Sequence, residues 1–259
     1  MKGNIHFNKK SPDFKSRPVD RRFNPVYAFL VRHPKKGNLL LDTGLCGSFA
    51  EKRFGNFGWL LGRIAQARSD PAMDSVSRMA SLGLAPGDLD HILLSHLHLD
   101  HPSGLPQLKG KTSAPVYVDE REAKAASGLF ALFQGYIRSH LDGFVIKNYQ
   151  YRSPVAPFDE VMDFFGDGSA FVIATPGHSP GHVSVLLNAE NGPIFLTFDA
   201  AHRRANLEDG IPPIGDFAAG RETLVKIRRF KEEFPDMRFI FSHDPDQMGE
   251  FPLAPDPVT

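Results

Sequence analysis

The sequence predicts a layered α/β domain whose β-sheets are covered by helices. Strand-length apolar runs are mixed along the chain with longer segments of helical spacing. The 259 residues are 41% apolar, enough for a sizeable buried core. No repeat, low-complexity tract or long Gly/Ser linker divides them. One domain over residues 1–259 is therefore expected, with residues 1–24 as a polar N-terminal arm.

Two strand-like runs follow the arm, Val26–Val31 and Asn38–Leu41, joined by the turn-forming His33-Pro34-Lys35-Lys36-Gly37. Residues 46–70 read as irregular, rich in Phe and Gly and holding the single tryptophan, Trp59. Asp74 to Leu82 has helical spacing in Val76, Met79 and Leu82, and stops at Gly83. Ile92-Leu93-Leu94 reads as a buried strand and Pro115–Val118 as another. A helix weakened by Gly128 and Gly135 is expected from Glu120 to Ser139. Beyond Gly168 come strands at Phe171–Ala174, Val183–Leu187 and Ile194–Phe198. A helix from Arg221 to Phe234, with Leu224, Ile227 and Phe234 on one face, precedes a last strand at Arg238–Phe241.

Composition excludes several classes of function. Thirty basic residues balance thirty acidic ones, so no net field recruits nucleic acid or an anionic membrane. Cys46 is the only cysteine, which rules out disulfides within the chain and multi-thiolate zinc sites. No stretch approaches the roughly 20 apolar residues of a transmembrane helix. The basic start lacks an apolar segment behind it, so no intact signal peptide is read and a cytoplasmic location is expected.

Chemistry concentrates in Ser95-His96-Leu97-His98-Leu99-Asp100-His101. Four strand-like runs each end in candidate metal ligands: His96, His98, Asp100 and His101; then His178; then Asp199; then His243. Loops at strand ends let a rigid scaffold hold ligands at fixed separations. Five histidines and two aspartates without a thiolate suit zinc, and also iron, manganese or cobalt. Seven ligands exceed one tetrahedral site but fit two divalent ions sharing a carboxylate. Such a centre polarises a carbonyl and lowers the pKa of water toward roughly 7, which is hydrolase chemistry. His6, His33, His91 and His140 read instead as structural or surface residues. Asp42-Thr43-Gly44 is either a plain turn or a brace for a ligand histidine, and His182 is a structural or bracing residue rather than a ligand.

The motif HLHLDH, followed by TPGHSPGH and by single Asp and His residues on later strand ends, resembles the metallo-β-lactamase superfamily over residues 24–247. The resemblance implies an αββα sandwich, two mixed sheets flanked by helices. It implies that His96, His98 and His178 bind one ion and Asp100, His101 and His243 the other, with Asp199 between them. Within the superfamily, LLLDTGL, SHLHLDHPSG and LTFDAAHRRANLEDGIPPIGDF are similar to the N-acyl homoserine lactonases. By that likeness the substrate is a small lactone, opened by water, with Asp100 carrying a proton to the departing alkoxide. Those lactonases usually carry a tyrosine three residues after the bridging aspartate, in contact with the substrate carbonyl; this chain has His202 there. The aromatic stretches Phe54–Trp59 and Phe130–Phe133 either line an acyl-chain groove or serve core or subunit contacts, which leaves a homodimer open. Competing readings keep the site but change the substrate to an ester, thioester or organophosphate. A metal-dependent oxygen or nitric oxide reductase, or a binding protein without turnover, is the reading from another class.

Overall fold

Alternation within single strands builds this fold. Leu39 and Leu41 point to one side of their strand and Leu40 to the other, and all three are fully buried. Such a strand needs cover on both faces, which means a second sheet on one side and helices on the other.

The computed structural model describes residues 2–6, 24–247 and 249–250. In chain order, β1 (Lys2–His6), β2 (Asn24–Tyr27), β3 (Phe29–His33) and β4 (Gly37–Leu41) come first, then α1 (Gly58–Ile64) and β5 (Gln66–Arg68). Next are α2 (Ser75–Ser81), β6 (Leu89–Leu93), α3 (Leu105–Leu108), β7 (Val116–Val118) and α4 (Glu120–Ala126). The middle of the chain gives β8 (Ile146–Asn148), β9 (Ser153–Val155) and β10 (Phe158–Asp163), followed by β11 (Ala170–Ala174), β12 (Val183–Ala189) and β13 (Gly192–Phe198). α5 (Arg204–Asp209), α6 (Phe217–Glu233) and β14 (Arg238–Phe241) complete the set.

Two mixed sheets form the centre. The five-stranded one has the order β3-β4-β6-β7-β8, with β3 antiparallel and the others parallel. The six-stranded one has the order β14-β13-β12-β11-β10-β9, antiparallel except for the parallel β13/β14 pair. Leu39, Leu41 and Leu93 of the first sheet meet Val172, Val185, Leu196 and Ile240 of the second in the layer between them. On the outer face of the five-stranded sheet, Leu40, Ile92 and Val116 pack with Met79, Leu105 and Ala126 from α2, α3 and α4. On the outer face of the six-stranded sheet, Phe195 and Phe239 pack with Leu207 of α5 and Leu224, Ile227 and Phe230 of α6. The result is the expected αββα sandwich. Among the described residues no helix is long and apolar enough to cross a membrane.

Several local expectations need correction. The run Val26–Val31 is not one strand: it breaks at Ala28, β2 joining a small three-stranded sheet and β3 the five-stranded one. The expected arm contains β1, which pairs with β2 and β5; residues 7–23 of that arm, and the tail from 251, lie outside the described residues. Residues 46–70 are not irregular but hold α1 and β5. Their apolar pattern hides a helix because α1 buries Leu61 while Trp59 and Ile64 stay exposed. The helix expected over Glu120–Ser139 ends at Ala126, and two 3-10 turns follow. Gly135 closes the first of them with φ +92, a left-handed backbone that glycine adopts without steric cost. α6 begins four residues before Arg221, because Asp216 caps it by accepting from the amides of Ala218 and Ala219.

Strand direction then determines where function can sit. β12 reverses between β11 and β13, so β11, β13 and β14 run the same way and end on one edge. The amide of Val183 donates to Ser95 O at 2.9 Å and brings the end of β6 to that edge. We predict that Leu93→Ala, in the layer between the sheets, destabilises the protein by about 2–5 kcal/mol through lost burial and a residual cavity. Chemical denaturation of the two proteins measures the difference.

Candidate metal centre

The strand ends converge because two of them bend. Asp42, just after β4, and Phe198, the last residue of β13, have positive φ of 50 and 44. That region is unusual for aspartate and an outlier for phenylalanine, costing on the order of 1–3 kcal/mol. The bend at Phe198 follows an irregularity in the β13/β14 register and turns Asp199 into the cluster. Gly177 has its own constraint: a Cβ there would stand 2.3 Å from Gly220 Cα, so only glycine lets the His178 loop pass α6.

All seven predicted ligand residues meet at this edge. His96, His98 and His178 form one compact group of donor atoms, and Asp100, His101 and His243 form another. The buried Asp199 carboxylate lies between the groups and divides them. Its Oδ2 faces His178 Nε2 at 3.3 Å and His96 Nε2 at 3.8 Å. Its Oδ1 faces His243 Nε2 at 3.2 Å and His101 Nε2 at 3.4 Å. Asp100 Oδ2 lies 3.6 Å from His243 Nε2 and 3.8 Å from His101 Nε2.

Hydrogen bonds on the outer side of the rings determine which nitrogens face inward as lone pairs. His178 Nδ1 donates to Ile214 O at 2.9 Å and His243 Nδ1 to Pro25 O at 2.7 Å. His101 Nδ1 donates to Asp42 Oδ2 at 2.7 Å. Ser95 Oγ donates to the same carboxylate at 2.8 Å, so it accepts from His96 Nδ1 at 3.0 Å. In each neutral ring Nε2 is then an unprotonated acceptor. His98 is turned the other way, its Nδ1 standing 2.7 Å from His178 Nε2. Inward acceptors facing a buried carboxylate repel one another unless a cation lies among them. The buried Nε2 of His96, Nε2 of His101 and Oδ2 of Asp100 have no hydrogen-bond partner in the protein. Imidazole and carboxylate donors left open in this way fit divalent zinc, iron, manganese or cobalt.

Electrostatics favour neutral rings at His96, His98 and His178 and a protonated ring at His101. Burial holds His96 and His178 well below the usual histidine range and lowers His98 to about 4. Burial also acts against charge on His101, but the carboxylates of Asp199, Asp100 and Asp42 outweigh it and raise its pKa well above the ordinary value. Burial would raise Asp199, yet His243, His101 and His202 hold it well below the usual carboxylate range. Asp100 is raised, chiefly by burial.

Other predicted residues take varied places. His202 is buried three residues beyond Asp199, its Nε2 3.0 Å from Asp199 Oδ2. His182 is a brace: its Nε2 accepts from the Asp199 amide at 2.9 Å while Nδ1 faces Thr175 O at 3.1 Å. Asp42 is likewise a brace, accepting from Ser95 and His101. His33 pairs with Asp167, His91 packs among Tyr117, Phe164 and Phe165, and His140 contacts Asn56 O, all away from the cluster. Phe57 is core, whereas Trp59, Phe130 and Phe133 are exposed. Sequence reasoning missed Ser242, whose hydroxyl donates to Asp199 Oδ1, and its place beside His243 was the available signal.

A family model described as the metallo-beta-lactamase superfamily matches residues 21–243. The chain belongs to this superfamily. Within it, the chain is 32% identical over 235 residues to N-acyl homoserine lactonase AttM of Agrobacterium fabrum (strain C58 / ATCC 33970), covering 90% of this chain and 86% of that protein. It is 30% identical over 230 residues to N-acyl homoserine lactonase AiiA of Bacillus thuringiensis subsp. kurstaki, covering 86% of this chain and 82% of that one. A solved structure of an N-acyl homoserine lactone hydrolase, with product N-hexanoyl-L-homoserine at its catalytic metal centre, shares the fold at TM-score 0.77. That likeness covers 99% of this chain and 98% of the other at 24% identity.

Removing the Asp42 brace should weaken metal binding by about ten- to a hundredfold, as loss of the carboxylate behind a ligand histidine does. Chelator competition on Asp42→Asn against the wild type measures it.

Proposed function

We propose that this chain is a dinuclear metal-dependent hydrolase that opens the ring of N-acyl homoserine lactones. One observation carries the reading: the two oxygens of Asp199 divide the surrounding ring nitrogens into two sets. That is the arrangement a shared carboxylate needs between two ions. His96, His98 and His178 would hold one ion and Asp100, His101 and His243 the other, with Asp199 between them. The lactone substrate is supported by the likeness to AttM and AiiA over most of each chain. A donor set of imidazole and carboxylate favours zinc, with iron, manganese and cobalt as its competitors.

Two divalent ions supply Lewis acidity, polarising a carbonyl and lowering the pKa of a nearby water. The protein contributes the rest. Asp100 has a buried oxygen without a protein partner, so it is placed to take a proton and deliver it to the departing alkoxide. His202 stands beside Asp199 with its ring 5.1 Å from that of His178 and 5.0 Å from that of His243. The single N–H of a neutral imidazole there points to Asp199 Oδ2 in this structure, and could turn to the substrate carbonyl where an ion takes over that oxygen. The exposed Trp59, Phe130 and Phe133 offer apolar surface for an acyl chain.

Two predictions test this reading. Incubated with a panel of lactones, esters and phosphotriesters, the metal-loaded protein should add one water to the lactone and release about one proton per turnover near neutral pH. An intact ring with a shortened acyl chain, or turnover of phosphotriesters alone, would overturn the lactonase assignment. His202→Ala should lower kcat/KM by roughly ten- to a thousandfold, the range for losing a hydrogen bond or an oxyanion donor. Its metal content should stay unchanged, and His202→Tyr should retain more activity. Steady-state kinetics with parallel metal analysis decides; an unchanged kcat/KM in His202→Ala would remove the residue from the mechanism.

A further inference from the structure

Glu122 is the one fully buried glutamate among the described residues, and it lies on α4, an element that supplies no candidate ligand. Its Oε1 accepts from the Leu97 amide at 3.0 Å. Its Oε2 accepts from the Gly181 amide, also at 3.0 Å. Leu97 sits between His96 and His98, and Gly181 lies between His178 and His182. A single carboxylate thus joins the two loops that carry His96, His98 and His178, and touches neither the Asp100–His101 segment nor His243 through these bonds.

The fit leaves no slack. A Cβ on Gly181 would stand 2.4 Å from the Glu122 amide nitrogen and 2.6 Å from its Cβ. The loop backbone therefore packs directly on the start of α4, which a side chain at position 181 would prevent. A buried charge is tolerated where hydrogen bonds satisfy it, and bonds from N–H groups to a carboxylate are among the stronger kind. Two such bonds to two loops fix a separation, where one would only anchor a loop. The His98 and His178 nitrogens are brought within 2.7 Å of each other across this joint.

We infer that Glu122 is a positioning residue that sets the spacing of the His96/His98 pair and His178, and so the affinity of that ion site in preference to the other. This rests on the reading that the cluster holds two ions. Glu122→Gln is the sharpest probe. The amide has one acceptor oxygen and an NH2 group that would face a backbone N–H, so one of the two loop bonds is lost at nearly constant shape.

The experiment is a chelator-competition titration of zinc on wild type and Glu122→Gln, with the absorption spectrum of the cobalt-substituted proteins and the thermal unfolding of the metal-free proteins. The wild type should release two ions per chain. In Glu122→Gln one step should weaken at least tenfold with the other nearly unchanged, and the cobalt spectrum of the weakened site should alter. Two unchanged steps would overturn the inference and leave the dinuclear reading standing. Equal weakening of both steps with a lower unfolding temperature would also overturn it, assigning Glu122 a general structural role. Fewer than two ions on the wild type would instead remove the dinuclear reading. If Glu122→Gln does not fold, Glu122→Asp serves in the same titration, because it keeps the charge but cannot span both amides. A wild-type pair of affinities in Glu122→Asp would then overturn the inference. Independently, the Leu97 and Gly181 amides of the metal-free wild type should exchange with solvent slowly, since their acceptor is protein; rapid exchange of both would overturn it.

Discussion

One buried negative charge organises this end of the molecule. Asp199 is almost wholly inaccessible to solvent, and its carboxylate is ringed by nitrogens of His96, His101, His178, His202 and His243 at 3.0 to 3.8 Å. Removing a carboxylate from water is costly unless positive charge or hydrogen bonds replace the solvent. Ser242 and the His202 ring supply part of that compensation directly. The remaining rings present acceptor nitrogens, because their protons are committed to Asp42, Ser95, Pro25 and Ile214 on the outer side. The compensation they provide is therefore complete only when positive charge lies among them, from cations or, without them, from a proton on His101.

Those outer acceptors explain why the cluster depends on the whole sandwich. The Pro25 carbonyl belongs to β2, Asp42 follows β4, and the Ile214 carbonyl precedes α6. The rings of His101, His178 and His243 are each oriented by an element other than the one that carries them, so their orientation follows from packing of the layers. Asp199 itself is held twice more, by the bend at Phe198 and by the His182 nitrogen that accepts from its amide. Strain at Phe198 and Asp42 persists because the surrounding buried layers over-determine it. The apolar layer between the sheets is thus part of the site: Leu93 leads directly into the His96 segment, and Leu196 into Asp199.

The sequence by itself determined the chemistry and the layers. Histidines and aspartates crowded at the ends of apolar runs have few uses other than metal binding, and that signal is local. Leu39, Leu40 and Leu41, too apolar for a strand with a wet face, likewise announced a buried sheet. Regular strands such as β11 to β14 were legible because their apolar residues are contiguous and bounded by turns. Where burial does not follow a simple period, the sequence misled: α1 exposes Trp59 and Ile64, and the chain after α4 coils into short turns despite its length. Only the tertiary structure decided which nitrogen of His101, His178 and His243 faces inward, because the deciding acceptors lie far away in the chain. His243 and Pro25 are 218 residues apart, and His101 and Asp42 are 59 apart. Glu122 shows the same limit most plainly. Nothing in Asp119-Glu120-Arg121-Glu122 distinguishes a solvated helix start from a buried clamp, since the partners that join the two loops are backbone amides, which no side-chain pattern records.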